Sequence, residues 1–205
     1  MRLLFGLTLL WLAGLAPAVH GPTPPDRLEG VRRSVAGKLL VASEELADPN
    51  FDHTVVFVVL HDEKGALGLV INRSYGRVPA RELLARLGLP GEDATGEIEL
   101  AYGGPVDPAT GFVLHSPDYR LEDTLVVTPE FAVTNDTRIM ADIARGKGPA
   151  RYIATLGYAG WAAGQLDAEI ARGDWEVVDA DPELVFETPA AERWERAKER
   201  VGVDL

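Results

Sequence analysis

Cysteine is absent from the 205 residues. This excludes a thiol nucleophile, a disulfide and a thiolate metal site, along with any cysteine-borne lipid anchor. Positive charge is also short, with 20 Lys and Arg against 32 Asp and Glu, a formal charge of −12. A surface of that sign repels phosphate backbones, so sequence-independent nucleic-acid binding is disfavoured. The basic residues that do cluster are Arg32-Arg33 and the C-terminal Arg193, Arg196, Lys198 and Arg200. The last four interleave with Glu192, Glu195 and Glu199, the pattern of a solvated helix face. Serine is confined to Ser34, Ser43, Ser74 and Ser116, and none lies in G-x-S-x-G. His115 and Ser116 are neighbours, so in a strand they point to opposite faces and do not pair directly. His20, His53, His61 and His115 show no H-E-x-x-H spacing, and His61-Asp62 falls at an expected hairpin loop, where a histidine is solvated. No metal and no cofactor is expected from these residues.

What is present suits one globular domain, with 46% hydrophobic residues. Residues 1–18 (MRLLFGLTLLWLAGLAPA) resemble a secretory signal: Arg2, then an apolar run from Leu3 to Leu15, then Ala16-Pro17-Ala18 as a cleavage site. The run is short for a bilayer span, so no membrane span is expected after cleavage. Residues 19–33 are rich in Pro and Gly and read as a linker, which leaves 34–205 as the domain. The expected location is periplasmic or secreted. The alternative is a start near Val31, which places the protein in the cytoplasm.

Strands are expected at Gly37–Ala42, Thr54–Leu60, Ala66–Asn72, Ile98–Tyr102, Gly111–His115, Leu125–Val127, Arg151–Leu156 and Trp175–Val178. TVVFVVL at 54–60 is continuously apolar rather than alternating, so both of its faces should be covered. Gly65 can close a hairpin to the next strand. Helices are expected over Pro79–Leu87, over Asp136–Arg145 capped by Thr134 or Asn135, from about Ala159 to Arg172, and after Thr188-Pro189 carrying Trp194, Ala197 and Val201. Strands cluster and helices do not alternate strictly with them, so the fold class is α+β.

Two glycine-rich segments stand out. In GGPV (103–106), Gly103 and Gly104 permit unusual backbone angles and Pro105 stiffens the exit. The segment is either a tight strand connection or a corner that presents amides to an anion. In LGYAGWAAGQLDAEI (156–170), Gly157, Gly160 and Gly164 have neither dinucleotide-loop nor phosphate-loop spacing. This segment is a strand-to-helix corner, with Trp161 as a possible stacking face beside Gln165.

GKLLVAS (37–43), DPNFDHTVVFVVLHDEKGALGLVINR (48–73), YGGPV (102–106), GFVLH (111–115) and LGYAGWAAGQLDAEI (156–170) together resemble the bacterial YqgE/AlgH family over roughly residues 34–190. The resemblance implies one α+β domain whose bifurcated, mostly antiparallel sheet forms a pseudo-barrel packed with a few helices. It implies no settled biochemistry: the family has been proposed to regulate transcription, yet resembles no standard DNA-binding module. This chain departs from the family in three places. Val59 and Leu60 replace a frequent Cys-Glu pair, Ser43-Glu44-Glu45 replace a usual proline, and a signal-like extension precedes residue 34.

The resulting expectation is a non-catalytic binding or regulatory protein with a groove near GGPV and GYAGW. Its candidate residues are Asn72, Gly103, Gly104, Pro105, His115, Tyr158, Trp161 and Gln165, and its partner is a small anionic ligand or a protein. The alternative is a small-molecule enzyme with His61 or His115 as acid–base. A third reading gives these blocks a purely structural role. Export is tested by the intact mass of the endogenous protein from each cell fraction. A periplasmic species beginning at Val19 is expected, and a cytoplasmic species beginning near Val31 rejects the signal reading.

Overall fold

The longest strand, β9 (Tyr152–Ala162), organises the sheet because it changes partners along its length. The structure is a computed structural model that describes residues 34–202. The expected signal and linker, 1–18 and 19–33, lie outside the described residues. On one flank β9 pairs antiparallel with β6 (Val106–His115). On the other flank, Ala154–Leu156 pair parallel with β5 (Glu97–Tyr102), and Ala159–Ala162 pair antiparallel with β3 (Gly65–Val70). The sheet therefore forks at Gly157 and Tyr158.

One branch runs from β3 through β2 (Val55–Asp62) and β1 (Lys38–Ala42) to β10 (Trp175–Asp179) at its edge. The other carries β5 with β4 (Ser74–Pro79), and β6 continues through β8 (Ala132–Thr134) to β7 (Leu125–Val126). The helices are α1 (Ala80–Arg86), α2 (Arg138–Ala144), α3 (Gln165–Arg172) and α4 (Arg193–Lys198). This is the single α+β domain with a curled, mostly antiparallel sheet that the sequence implied.

The continuous apolar run behaves as expected from Thr54 to Val59, while Leu60 at its end is exposed. Val55, Phe57 and Val59 enter one core with Leu39, Val41, Trp194 and Ala197. Val56 and Val58 enter a second core on the opposite face with Leu40, Trp161, Leu166 and Trp175. A third core packs α1 and α2 on the other branch through Leu83, Leu84, Ile98, Ile139 and Met140. Side chains alternate across a strand, so an unbroken hydrophobic strand needs two apolar layers.

Several expected boundaries are corrected. The helix expected from Ala159 is strand as far as Ala162, because β3 offers its edge to that stretch, and α3 starts only at Gln165. Gly164 makes the turn with φ +72°, a region that glycine enters without penalty. Neither Thr134 nor Asn135 caps α2: Thr134 lies in β8, and the carboxylate of Asp136 accepts from the Arg138 N–H. His61 lies in β2 rather than in a solvated loop, and its side chain is 5% exposed. The expected terminal helix after Thr188-Pro189 is split into a tight turn at 190–192 and α4, and an unexpected wide turn at 183–187 precedes it. Strands β4 and β8 had no expected counterpart, being exposed and very short respectively.

The GGPV segment stitches the fork. The Gly103 N–H donates to the Leu156 carbonyl (2.8 Å), and its carbonyl accepts from the Val70 N–H (2.8 Å). A Cβ on Gly104, at φ +149°, would sit 2.1 Å from the Tyr158 carbonyl carbon. Backbone cannot yield there as a flexible side chain would. We predict that Gly104→Ala costs about 3 kcal/mol or more, or yields no folded protein, in urea unfolding followed by circular dichroism. Gly111→Ala, whose nearest neighbour would be 3.8 Å away, should stay within about 0.5 kcal/mol of the parent. Equal stability of the two variants would contradict the close approach.

Candidate functional site

The eight candidate residues fall into separate arrangements rather than one surface. Gly103 and Gly104 are buried, and the Gly103 amide is already bonded within the sheet, so it is not offered to an anion. Pro105 is exposed beside them, and Tyr158 meets Phe112 edge-on at 5.8 Å. Asn72 is a clamp: its Oδ1 accepts from the Val55 N–H and its Nδ2 donates to the His53 carbonyl, both at 2.8 Å.

Trp161 presents no open stacking face, because it is only 7% exposed. It stacks on Phe51 at 6.3 Å and meets Trp175 edge-on at 6.1 Å. The carboxylate of Glu169 closes this corner. One of its oxygens accepts from the indole N–H of Trp161 (2.7 Å) and of Trp175 (3.0 Å); the other accepts from Gln165 Nε2 (2.9 Å). Gln165 Oε1 in turn accepts from the Ala162 N–H (3.0 Å). The motif thus ties the end of β9 to α3 and β10 through one charge-assisted network.

His115 is fully buried at the other end of β9. Its Nδ1–H donates to the Ser116 carbonyl (2.8 Å), which leaves Nε2 to accept from the Thr134 hydroxyl (3.0 Å). The Thr134 oxygen accepts from Thr124 (2.7 Å), whose oxygen accepts from the Leu121 N–H (2.9 Å). Burial lowers the pKa of His115, opposed by the Ser116 bond and by Asp118. The ring is therefore neutral near pH 7, with both nitrogens engaged. His61 pairs with Ala66, which faces Trp161 at the far end of β9 from His115, so the two histidines are not brought together. His61 Nδ1 accepts from the Val35 N–H (3.2 Å), and its Nε2 lies 3.6 Å from Asp167.

The fork itself opens a cleft of about 350 Å³. Its walls come from the segment after β3 (Ile71, Arg73), from β5 (Glu97, Glu99), from the start of β9 (Tyr152, Ile153) and from Phe186 to Arg193. Arg193 is 8% exposed, which corrects the solvated face expected for it. One terminal amino group donates to the Ile71 carbonyl, while the buried Nε has no acceptor. Among the described residues, no carboxylate lies within ion-pairing distance of it. Desolvation pushes the guanidinium pKa down to about 10, opposed by Glu99, so the charge persists at neutral pH. The other two guanidiniums are committed. Arg73 donates to the carbonyls of Pro49, Asn50 and Asp52, and Arg77 lies 3.8 Å from Glu99.

The forked sheet and its stitching glycines can be set against known proteins. A family model described as AlgH-like matches residues 39–205. The chain belongs to the AlgH-like family. A UPF0301 protein of Jannaschia sp. (strain CCS1) is 44% identical over 172 residues, covering 83% of this chain and 90% of that one. A second UPF0301 protein, from Rhodospirillum rubrum, is 39% identical over 183 residues, 89% of this chain and 94% of its own. The solution structure of the AlgH protein from Pseudomonas aeruginosa aligns with a TM-score of 0.71 at 38% identity, covering 86% of this chain and 93% of that chain. A crystal structure of a Corynebacterium diphtheriae protein shares the fold, with a TM-score of 0.61 at 21% identity over 80% of this chain and 86% of that one.

Within this AlgH-like chain, Arg193 and Glu169 are residues to which sequence reading gave no site role, Arg193 being read as part of a solvated helix face and Glu169 only as a neighbour of Trp161 and Gln165 along the expected helix. The signal for Arg193 was its register: it heads the line Arg193, Ala197, Val201, four residues apart on the face that α4 buries. For Glu169 the signal was the spacing from Gln165, but its indole partners come from two strands. We predict that Glu169→Ala lowers stability by about 2–4 kcal/mol by stranding two indole N–H groups, and shifts tryptophan emission. A change within about 0.5 kcal/mol with an unaltered spectrum would remove the corner's structural role.

Proposed function

We propose that this protein is a non-catalytic binding protein that takes a small ligand into the cleft at the fork of its sheet. The observation that carries the reading is the cleft itself: about 350 Å³ of concave space where charged and apolar side chains converge. The GGPV and GYAGW segments build the fork beside it rather than forming its lining, so the site moves from the groove expected between them to the neighbouring cleft. Among the lining residues there is no histidine, and the Ser74 hydroxyl oxygen accepts from the Gly76 N–H (3.0 Å). Nothing in the lining pairs a nucleophile with a base, which favours binding over reaction. A histidine enzyme is less well supported, because both ring nitrogens of His115 are engaged within a buried network.

Under the export reading, the ligand is met outside the cytoplasm and direct control of transcription is excluded. Under the downstream start, a regulatory output would follow from occupancy of the same cleft. Among the described residues, no helix is long and apolar enough to cross a membrane.

The test fills the cleft. Ala190 is half-buried and lines it, so Ala190→Phe should occupy the space without adding charge. A panel of small organic acids, phosphate esters and neutral amides is screened against the full chain by saturation-transfer NMR. Compounds that bind the parent should lose their signal with a folded Ala190→Phe variant. Undiminished binding to that variant would place the ligand elsewhere and reject the cleft.

A further inference from the structure

Arg193 is a cation buried as a residue, and its one side-chain hydrogen bond among the described residues runs from a terminal N–H to the Ile71 carbonyl. Its Nε is left without an acceptor. A buried charge with an unmet donor costs free energy that folded proteins normally avoid by pairing. Here pairing was available in principle, since Glu97 and Glu187 also line the cleft, yet neither lies within ion-pairing distance. Glu99 is engaged with Arg77.

We infer that the cleft binds a small molecule through an oxyanion, a carboxylate or phosphate, laid against the free edge of Arg193. This rests on the cleft being the ligand site. The argument is geometric. With one terminal N–H donating to Ile71, the Nε–H and the other terminal N–H remain on one edge of the planar fork, and they can donate to two oxygens of one oxyanion side by side. Water can accept from Nε, but it does not neutralise the charge. Ile71, Ile153 and Phe186 supply an apolar wall in the same cleft, so the anion should carry a compact apolar body. At about 350 Å³ the cleft lies at the small end of ligand pockets, which suits a compact body such as a ring bearing the anion. Glu97 and Glu187 at the same cleft repel a second negative charge on the far end of the ligand, which favours one anionic group per molecule.

The experiment uses the full-length protein labelled with nitrogen-15, in which the Arg193 Nε–H resonance is observed directly. Benzoate, phenyl phosphate, inorganic phosphate and the neutral benzamide are titrated separately. Benzoate or phenyl phosphate should move that resonance downfield and saturably, with the better of the two identifying a carboxylate or a phosphate site. Benzamide should bind at least tenfold more weakly, and inorganic phosphate more weakly than phenyl phosphate because it lacks the ring. Arg193→Gln should weaken the anion at least tenfold; if that variant does not fold, the titration of the parent decides. An Nε–H resonance unmoved by every anion, or equal binding of benzoate and benzamide, would overturn the inference. If neutral compounds still fill the cleft and are lost in Ala190→Phe, the oxyanion fails while the binding site stands. If nothing enters the cleft, both fail.

Discussion

The molecule depends on one close approach of two backbones. At the fork of β9, Gly103 and Gly104 press against Thr155 and Gly157 to Ala159 at distances that leave no room for a Cβ. That contact lets one strand hold β5 along half of its flank and β3 along the other half. An unforked sheet would present one continuous flank at this place. The fork instead leaves a wedge, which the chain from Phe186 to Arg193 covers in part. The cleft is thus a by-product of a backbone constraint, and the constraint is a matter of missing side-chain atoms.

Three ionisable groups inside the protein show how differently burial is handled. Glu169 is surrounded by donors, with two indoles and an amide converging on one carboxylate. His115 avoids charge altogether, kept neutral by desolvation and wired through two threonines to a backbone amide. Arg193 keeps its charge and is given one carbonyl. The first two are closed systems in which each polar atom finds a partner within the fold, as stability requires. The third is open, and it opens into the largest irregularity of the sheet. Arg193 thus differs from the other two in having a buried donor, Nε, that the fold does not satisfy.

The family relationship fits this division. The glycine-rich segments that carry the resemblance make the fork and the tryptophan–carboxylate corner, which define the shared architecture.

Much of the fold was legible in the sequence because local pattern and burial coincide there. The unbroken apolar run required two covered faces and received them as far as Val59, with Leu60 left exposed. Gly65 marked its hairpin, and the Leu83, Leu84 pair marked the buried face of α1. The course of residues 159–162 was not legible: four residues with Ala, Gly and Trp suit a helix or a strand, and the free edge of β3 decided it. Nor was the separation of the candidate residues, since spacing along a chain does not say which amides a remote strand will consume. By itself the sequence determined the class of fold, the acidic surface, the lack of thiol chemistry and the places where glycine was needed. Only the tertiary structure decided that those glycines would be sealed, that Trp161 would be buried and that Arg193 would be left one acceptor short. Those outcomes depend on partners brought from elsewhere in the chain, as far as Ile71 is from Arg193 and Tyr158 from Gly104, and no local periodicity encodes them.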